Sequence, residues 1–167
     1  MTIAMQPIYT QTVGAGGAAI IDFNNIPQFY TDLMLVVSAR NSVSNEADIV
    51  FNLDYGATRT TRGIFGSGSV ASSSAPSDIR VYATAPSQTA STFASSTLYI
   101  PNYASNTLKS MTSDSVQENN ATASFLSLRA HLWNSTAAIT NIRLGATGAS
   151  GTFTQHSTFT LYGITKG

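Results

Sequence analysis

Asp32-Leu33-Met34-Leu35-Val36-Val37-Ser38-Ala39 decides the fold class. The run is continuously apolar, rich in valine and too short for a stable helix, so it reads as a buried strand. On its N-terminal side Ala18, Ile20, Asp22 and Asn24 alternate with Ala19, Ile21 and Phe23, and only one of the two sets turns polar, as in a half-buried strand. On its C-terminal side the period of two continues. Ile49-Val50-Phe51, Gly63-Ile64-Phe65, Ile79 to Thr84, Thr97-Leu98-Tyr99-Ile100, Ala138 to Leu144 and Thr158 to Ile164 all fit strands. The stretch Thr122 to Trp133 reads as a longer strand with a bulge near Phe125-Leu126. Turn clusters separate these segments: Gly14-Ala15-Gly16-Gly17, Asn24-Asn25-Ile26-Pro27, Gly66-Ser67-Gly68-Ser69, Ser72 to Ser77, and Gly145 to Gly151. No segment carries a capped stripe of 3.6-residue period. The expectation is an all-β, antiparallel β-sandwich, jelly-roll-like, with about eight to ten short strands. Residues 1–17 form an N-terminal arm or first strand, residues 18–167 a single β-sandwich domain, and Gly66 to Ser77 the longest loop.

Composition narrows the function classes. The 167 residues are 43% hydrophobic, enough for one sizeable core and too few for two ordinary domains. Eight basic residues balance eight acidic ones, and only 10% of the chain is charged. Binding of nucleic acid through bulk electrostatics is therefore not expected. The absence of cysteine excludes disulfides, thiolate metal sites and a cysteine nucleophile. No apolar run approaches the roughly 20 residues of a membrane-spanning helix, and the N-terminus lacks a secretory layout, so no membrane partner is expected and the mature chain is expected to be the translated one. Ser and Thr make up roughly a quarter of the residues, well above ordinary usage. A surface polarised by hydroxyls gives little long-range repulsion between copies, which suits dense packing beside other subunits.

Motifs for catalysis are weak. Gly14 to Gly17 lacks the following helix that a phosphate loop requires. His131 and His156 are not in metal-ligand spacing, and His131, on the same alternating face as Trp133, reads as a packed or rim histidine. Gly66-Ser67-Gly68-Ser69 misses the nucleophile-elbow pattern. The acids are scattered; Glu46 with Asp48 and Asp54 offers at most a weak calcium site, with a solvated strand edge as the simpler reading. Asn120-Ala121-Thr122 and Asn134-Ser135-Thr136 match the glycosylation acceptor pattern, which means little without a secretory signal. No cofactor is expected. Two features point to binding instead. Arg59 and Arg62 are placed to reach an acid in another subunit. Tyr9, Tyr30, Tyr55, Tyr82, Tyr99, Tyr103 and Trp133 supply aromatic material for stacking on sugars.

A series of short stretches adds a resemblance. They are Ile26-Pro27-Gln28-Phe29-Tyr30-Thr31-Asp32-Leu33, Val37-Ser38-Ala39-Arg40, Phe51-Asn52-Leu53-Asp54, Ile100-Pro101-Asn102-Tyr103-Ala104-Ser105, Trp133-Asn134, Ala138-Ile139-Thr140-Asn141-Ile142 and the closing Ser157 to Ile164. In this string the chain resembles a group of small structural proteins encoded by tailed bacteriophages. It departs from the family pattern where Leu53, Asp54 and Tyr55 stand in place of Gly-Asp followed by Asn-Tyr, so that turn is expected to differ. The resemblance implies a virion component of jelly-roll type, assembled in the host bacterial cytoplasm. A compact domain without a fibrous stalk favours a capsid decoration or cement protein that self-associates, as a trimer, and binds the major capsid protein or another virion protein. A small tail or head-fibre adhesin that binds a host surface glycan is the alternative. The assembly residues expected on this reading are Ile3, Met5, Ile8 and Tyr9 of the N-terminal segment, with Arg59 and Arg62.

Overall fold

The computed structural model describes residues 4–43, 47–56, 58–118, 120, 124–146 and 151–165. It is all-β, with no helix among the described residues. Among the described residues twelve strands follow one another: β1 (Ala4–Thr12), β2 (Ile20–Phe23), β3 (Asp32–Ala39), β4 (Ala47–Leu53), β5 (Arg59–Gly66), β6 (Ala71–Ser74), β7 (Ile79–Ala83), β8 (Ala94–Ile100), β9 (Lys109–Val116), β10 (Leu126–Trp133), β11 (Ile142–Ala146) and β12 (Thr158–Thr165). They form an eight-stranded sheet, β1-β12-β3-β8-β9-β10-β5-β6, and a four-stranded sheet, β2-β11-β4-β7, with every ladder antiparallel.

Eight of these strands pair from the ends of the chain inward: β1 with β12, β2 with β11, β3 with β8 and β4 with β7. This nested pairing, divided between two sheets, is the doubled Greek key of a jelly roll. Two hairpins are inserted into it, β5–β6 between β4 and β7 and β9–β10 between β8 and β11. They lengthen the larger sheet because β9 pairs with β8 and β10 with β5. Inward side chains of both sheets fill the core, among them Ile21, Leu33, Leu35, Phe51, Leu98, Ile142 and Phe159, all fully buried.

The strand count exceeds expectation for identifiable reasons. β9 alternates regularly between buried and exposed positions, but its buried residues are Lys109, Met111, Ser113 and Ser115, so no apolar period marks it in the sequence. β6 lies inside the stretch read as the longest loop; three serines and an alanine form a strand because β5 supplies the ladder. The N-terminal segment is a strand paired to β12, with a register shift between Pro7 and Tyr9 and Pro7 on the outer edge of the sheet, where its missing N–H costs nothing. β10 begins at Leu126 and pairs without a bulge on both sides.

Several loops meet at the end of the sandwich where β3 begins. Gln28 Nε2 donates to Ile26 O (2.7 Å) and Ile139 O (3.0 Å), and the Tyr103 hydroxyl donates to Pro27 O. Buried Asp32 accepts from the Tyr99 hydroxyl (2.5 Å) and from Asn102 N–H (2.9 Å). Asp54, in the turn after β4, accepts from the backbone N–H groups of Thr140 and Asn141 and from both of their side chains. The Lys109 ammonium, buried beside the Trp133 ring, donates to Ser105 O (2.7 Å), Thr136 O (3.2 Å) and Ala137 O, and burial pulls its pKa down. These bonds satisfy loop carbonyls and carboxylates that would otherwise be buried without partners.

Gly163 has a packing reason. A Cβ on it would overlap the Tyr30 ring, which covers the strand at that point. Gly163→Ala is therefore expected to lower unfolding free energy by about 1–3 kcal/mol in urea melts. Gly16→Ala, where a Cβ meets nothing within 4 Å, should change stability by less than about 1 kcal/mol. Equal effects of the two substitutions would contradict this packing.

Candidate functional site

The edge of the small sheet governs the inserted strands. β7 is an edge strand, so its alternate backbone groups face away from β4 and need partners. Side chains of the larger sheet supply them. Thr61 Oγ1 donates to Asp78 O (2.8 Å), an Arg129 guanidinium N–H to Arg80 O (2.9 Å), and Ser96 Oγ to Tyr82 O (3.0 Å), while Ser115 Oγ accepts from Tyr82 N–H (3.1 Å). Arg129 also stacks on the Tyr82 ring at 4.5 Å, and Gly63 makes room for it, since a Cβ there would stand 2.7 Å from Arg129 Cγ.

His131 sits behind this seam, 2% exposed, with Nδ1 at 2.7 Å from Thr61 Oγ1 and Nε2 at 2.8 Å from Ser113 Oγ. Thr61 already donates to Asp78 O, so Nδ1 carries the proton and Nε2 accepts from Ser113. Burial, with the neighbouring Arg129 charge as the smaller cause, lowers the His131 pKa from 6.5 to about 4. The three groups resemble a relay on paper, but they are sealed in the interior and act as an internal strut. The reading of His131 as a packed residue on the Trp133 face holds, since both side chains point inward and are buried.

A seam of polar groups inside β10 has a direct consequence on its other face. Ser127, Arg129, His131 and Trp133 point inward, so Leu126, Leu128, Ala130 and Leu132 point outward. The strand is inside-out. Leu126 is 59% and Leu128 56% exposed, and Ile64 on β5, directly opposite Leu128, is 62% exposed. Ala71, Ser73 and Gly66 continue this face to the edge strand β6, around an open hollow of about 540 Å³. Val70 and Val116 extend it at one end, both exposed. A strand that buries an arginine and a histidine thus exposes a contiguous apolar patch, the feature that makes this face the candidate site.

The sequence-predicted residues fall in different places. Ile3 lies outside the described residues. Met5 is exposed, whereas Ile8 and Tyr9 pack against the core; the Tyr9 hydroxyl donates to Asn24 O (2.8 Å) and its ring stacks on Phe23 at 5.8 Å. Arg59 is engaged within its own chain, donating to Asn52 Oδ1 (2.6 Å) and Phe51 O (3.1 Å) and lying 3.7 Å from Asp78. Arg62 points outward beside Ala130 and donates to Thr61 O (2.8 Å). Gly66 to Ser69 belongs to the β5–β6 hairpin turn, with Ser67 N–H on Val70 O, and Gly14 to Gly17 is a turn closed by Gly17 N–H on Gly14 O.

Glu46 lies outside the described residues; Asp48 pairs with Arg80 (2.6 Å), and Asp54 serves the turn described above. Among the described residues no three His, Cys, Asp or Glu side chains cluster as metal ligands. Of the aromatic set, Trp133, Tyr103 and Tyr82 are buried, and Tyr55 is the most exposed at 53%. The Tyr55 backbone is left-handed (φ 55°), and its ring stacks at 4.5 Å on Arg143, whose guanidinium grips Asp22 at 2.7 and 2.8 Å and lowers that carboxyl's pKa. Neither leucine of the inside-out face stood among the expected site residues. Leu126 and Leu128 share one parity of β10 while His131 and Trp133 share the other, and that split was the available signal.

Comparison with protein-family models, curated proteins and solved structures finds no match to the chain.

The His131 strut makes stability depend on pH. The native state holds the imidazole neutral, whereas the unfolded chain takes a proton near pH 6.5. Its contribution is therefore complete above about pH 6.5 and is lost as pH falls toward 4, at up to about 1.4 kcal/mol per pH unit. Asp22, with its lowered pKa, acts only below about its ordinary 3.8, so the two windows separate. Urea melts between pH 7 and pH 4.5 should show the loss, and the stability gap between wild type and His131→Asn should narrow over the same range. A flat profile would exclude a buried neutral imidazole.

Proposed function

We propose that the chain is a non-enzymatic structural protein of a bacteriophage particle, a decoration or cement protein that stabilises the head by bridging capsid subunits. The observation that carries this reading is the inside-out strand β10. Leucines held on a flat sheet face, where hydration is unfavourable by about 25 cal/mol per Å², gain by contact with another surface. The low charge and the high Ser and Thr content favour close packing of neighbours. The resemblance to phage structural proteins agrees with the same use.

The adhesin reading retains one specific support. Tyr55 is an exposed ring stacked on Arg143 and carried on a left-handed backbone, a candidate platform for stacking on a sugar.

Particles reconstructed with Leu126→Asp/Leu128→Asp protein separate the two. Both positions face solvent, so the variant should keep its melting temperature while its occupancy on capsids falls by about tenfold or more. Full occupancy of the variant, or absence of the wild-type protein from purified heads, would defeat the cement reading. Location at a tail or head fibre, with glycan binding abolished by Tyr55→Ala, would establish the adhesin instead.

A further inference from the structure

We infer that two copies of this chain pack face to face through the outer surfaces of β8, β9, β10, β5 and β6, about a twofold axis that runs along β10, so that β6 of each copy lies over β8 of the other. The inference rests on reading this face as an assembly surface and commits the face to one occupant, a second copy.

Charge placement selects the geometry. Arg62 on β5 stands opposite Ala130 on one side of β10, and Asp114 on β9 stands opposite Leu128 on the other side. Both are exposed on the outer face. Among the described residues Arg62 makes no ion pair, and Asp114 accepts a hydrogen bond from the Thr97 hydroxyl. β5 and β9 each lie one strand spacing, about 4.8 Å, from β10, on opposite sides. A twofold axis along β10 therefore lays β5 of each copy over β9 of the other. Arg62 then comes above the row of Thr112, about 6.8 Å along the strand from the partner's Asp114. A guanidinium spans that distance. The symmetry creates two such pairs at the flanks, while Leu126, Leu128 and Ala130 meet their own counterparts along the axis, as an isologous interface requires. A twofold axis across the strands would instead set each β5 on the other β5 and bring no opposite charges together.

Three strands of eight residues, with β6 and the part of β8 that it covers, offer a planar footprint on the order of 500 Å² per copy. Over both copies that is about 1,000 Å², the lower bound for a specific interface. Flanking ion pairs around an apolar centre also set register, which a row of leucines alone does not.

Charge exchange tests this directly. Sedimentation equilibrium at up to about 100 µM should give a species of twice 17.6 kDa for the wild-type chain. Arg62→Asp alone and Asp114→Arg alone should each weaken association by about tenfold or more, and the double variant should recover it. Mixing the two single variants should give 1:1 heterodimers, since both flanking pairs are then opposite in sign. Leu128→Asp should yield monomers with an unchanged circular dichroism spectrum. A monomeric wild type, an assembly indifferent to the swaps, or failure of the mixed variants to pair would overturn the interface. Particle occupancy is a separate readout. A dimer that obeys the charge rules but is absent from phage particles would refute the structural role and leave this interface standing, whereas a virion protein indifferent to the swaps would do the reverse.

Discussion

The buried edge of β7, with no neighbouring strand beyond it, is the constraint on which the inserted strands depend. A four-stranded sheet facing an eight-stranded one ends over the middle of its partner, and the terminal strand there presents amide and carbonyl groups to the interior. An unpaired buried backbone group costs roughly as much as a lost hydrogen bond, typically about 1–3 kcal/mol. Thr61, Ser96, Ser115 and Arg129 remove that cost by bonding the groups directly, and His131 and Ser113 hold Thr61 in place. Edge strands are usually guarded by short length, charge or an added strand. Here the guard is a set of side chains from the facing sheet.

The consequence passes through the pleat. Alternate residues of a strand point to opposite faces, so inward positions given to hydroxyls, a guanidinium and an imidazole leave the other positions for whatever faces out. On β10 those positions carry leucine and alanine. The inner seam and the outer apolar face are thus two sides of the same strands. The function proposed for the outer face relies on the rigidity that the inner one provides. A face carried on paired strands can meet a partner without ordering itself first, which keeps the entropic cost of association low.

Around this lies a conventional jelly-roll frame, with β1, β12, β3 and β8 facing β2, β11, β4 and β7. Buried polar side chains serve that frame: Gln28, Asp32, Tyr103 and Asp54 tie loops at one end, and Gly163 admits Tyr30. These residues close the sandwich, whereas the exposed apolar surface lies on the inserted hairpins.

The sequence by itself determined the frame. Wherever alternate residues are apolar and buried, as in Asp32 to Ala39, Ile79 to Ala83 and Thr158 to Ile164, the period of two reports the strand directly, because water is excluded from one face. It also placed His131 and Trp133 on a common face. It did not reveal β9 or β6, whose buried or paired positions are mostly hydroxyls, and it did not say which parity of β10 faces the core. Tertiary structure decided that, because hydroxyls and a guanidinium become interior residues only when a second sheet ends above them and offers backbone groups to bond. The same contact turned Leu126 and Leu128 to the outside and drew Arg59 back into its own chain while leaving Arg62 on the surface. Local patterning reports where water is kept out, and hydrogen bonds between sheets report why a polar residue is kept in.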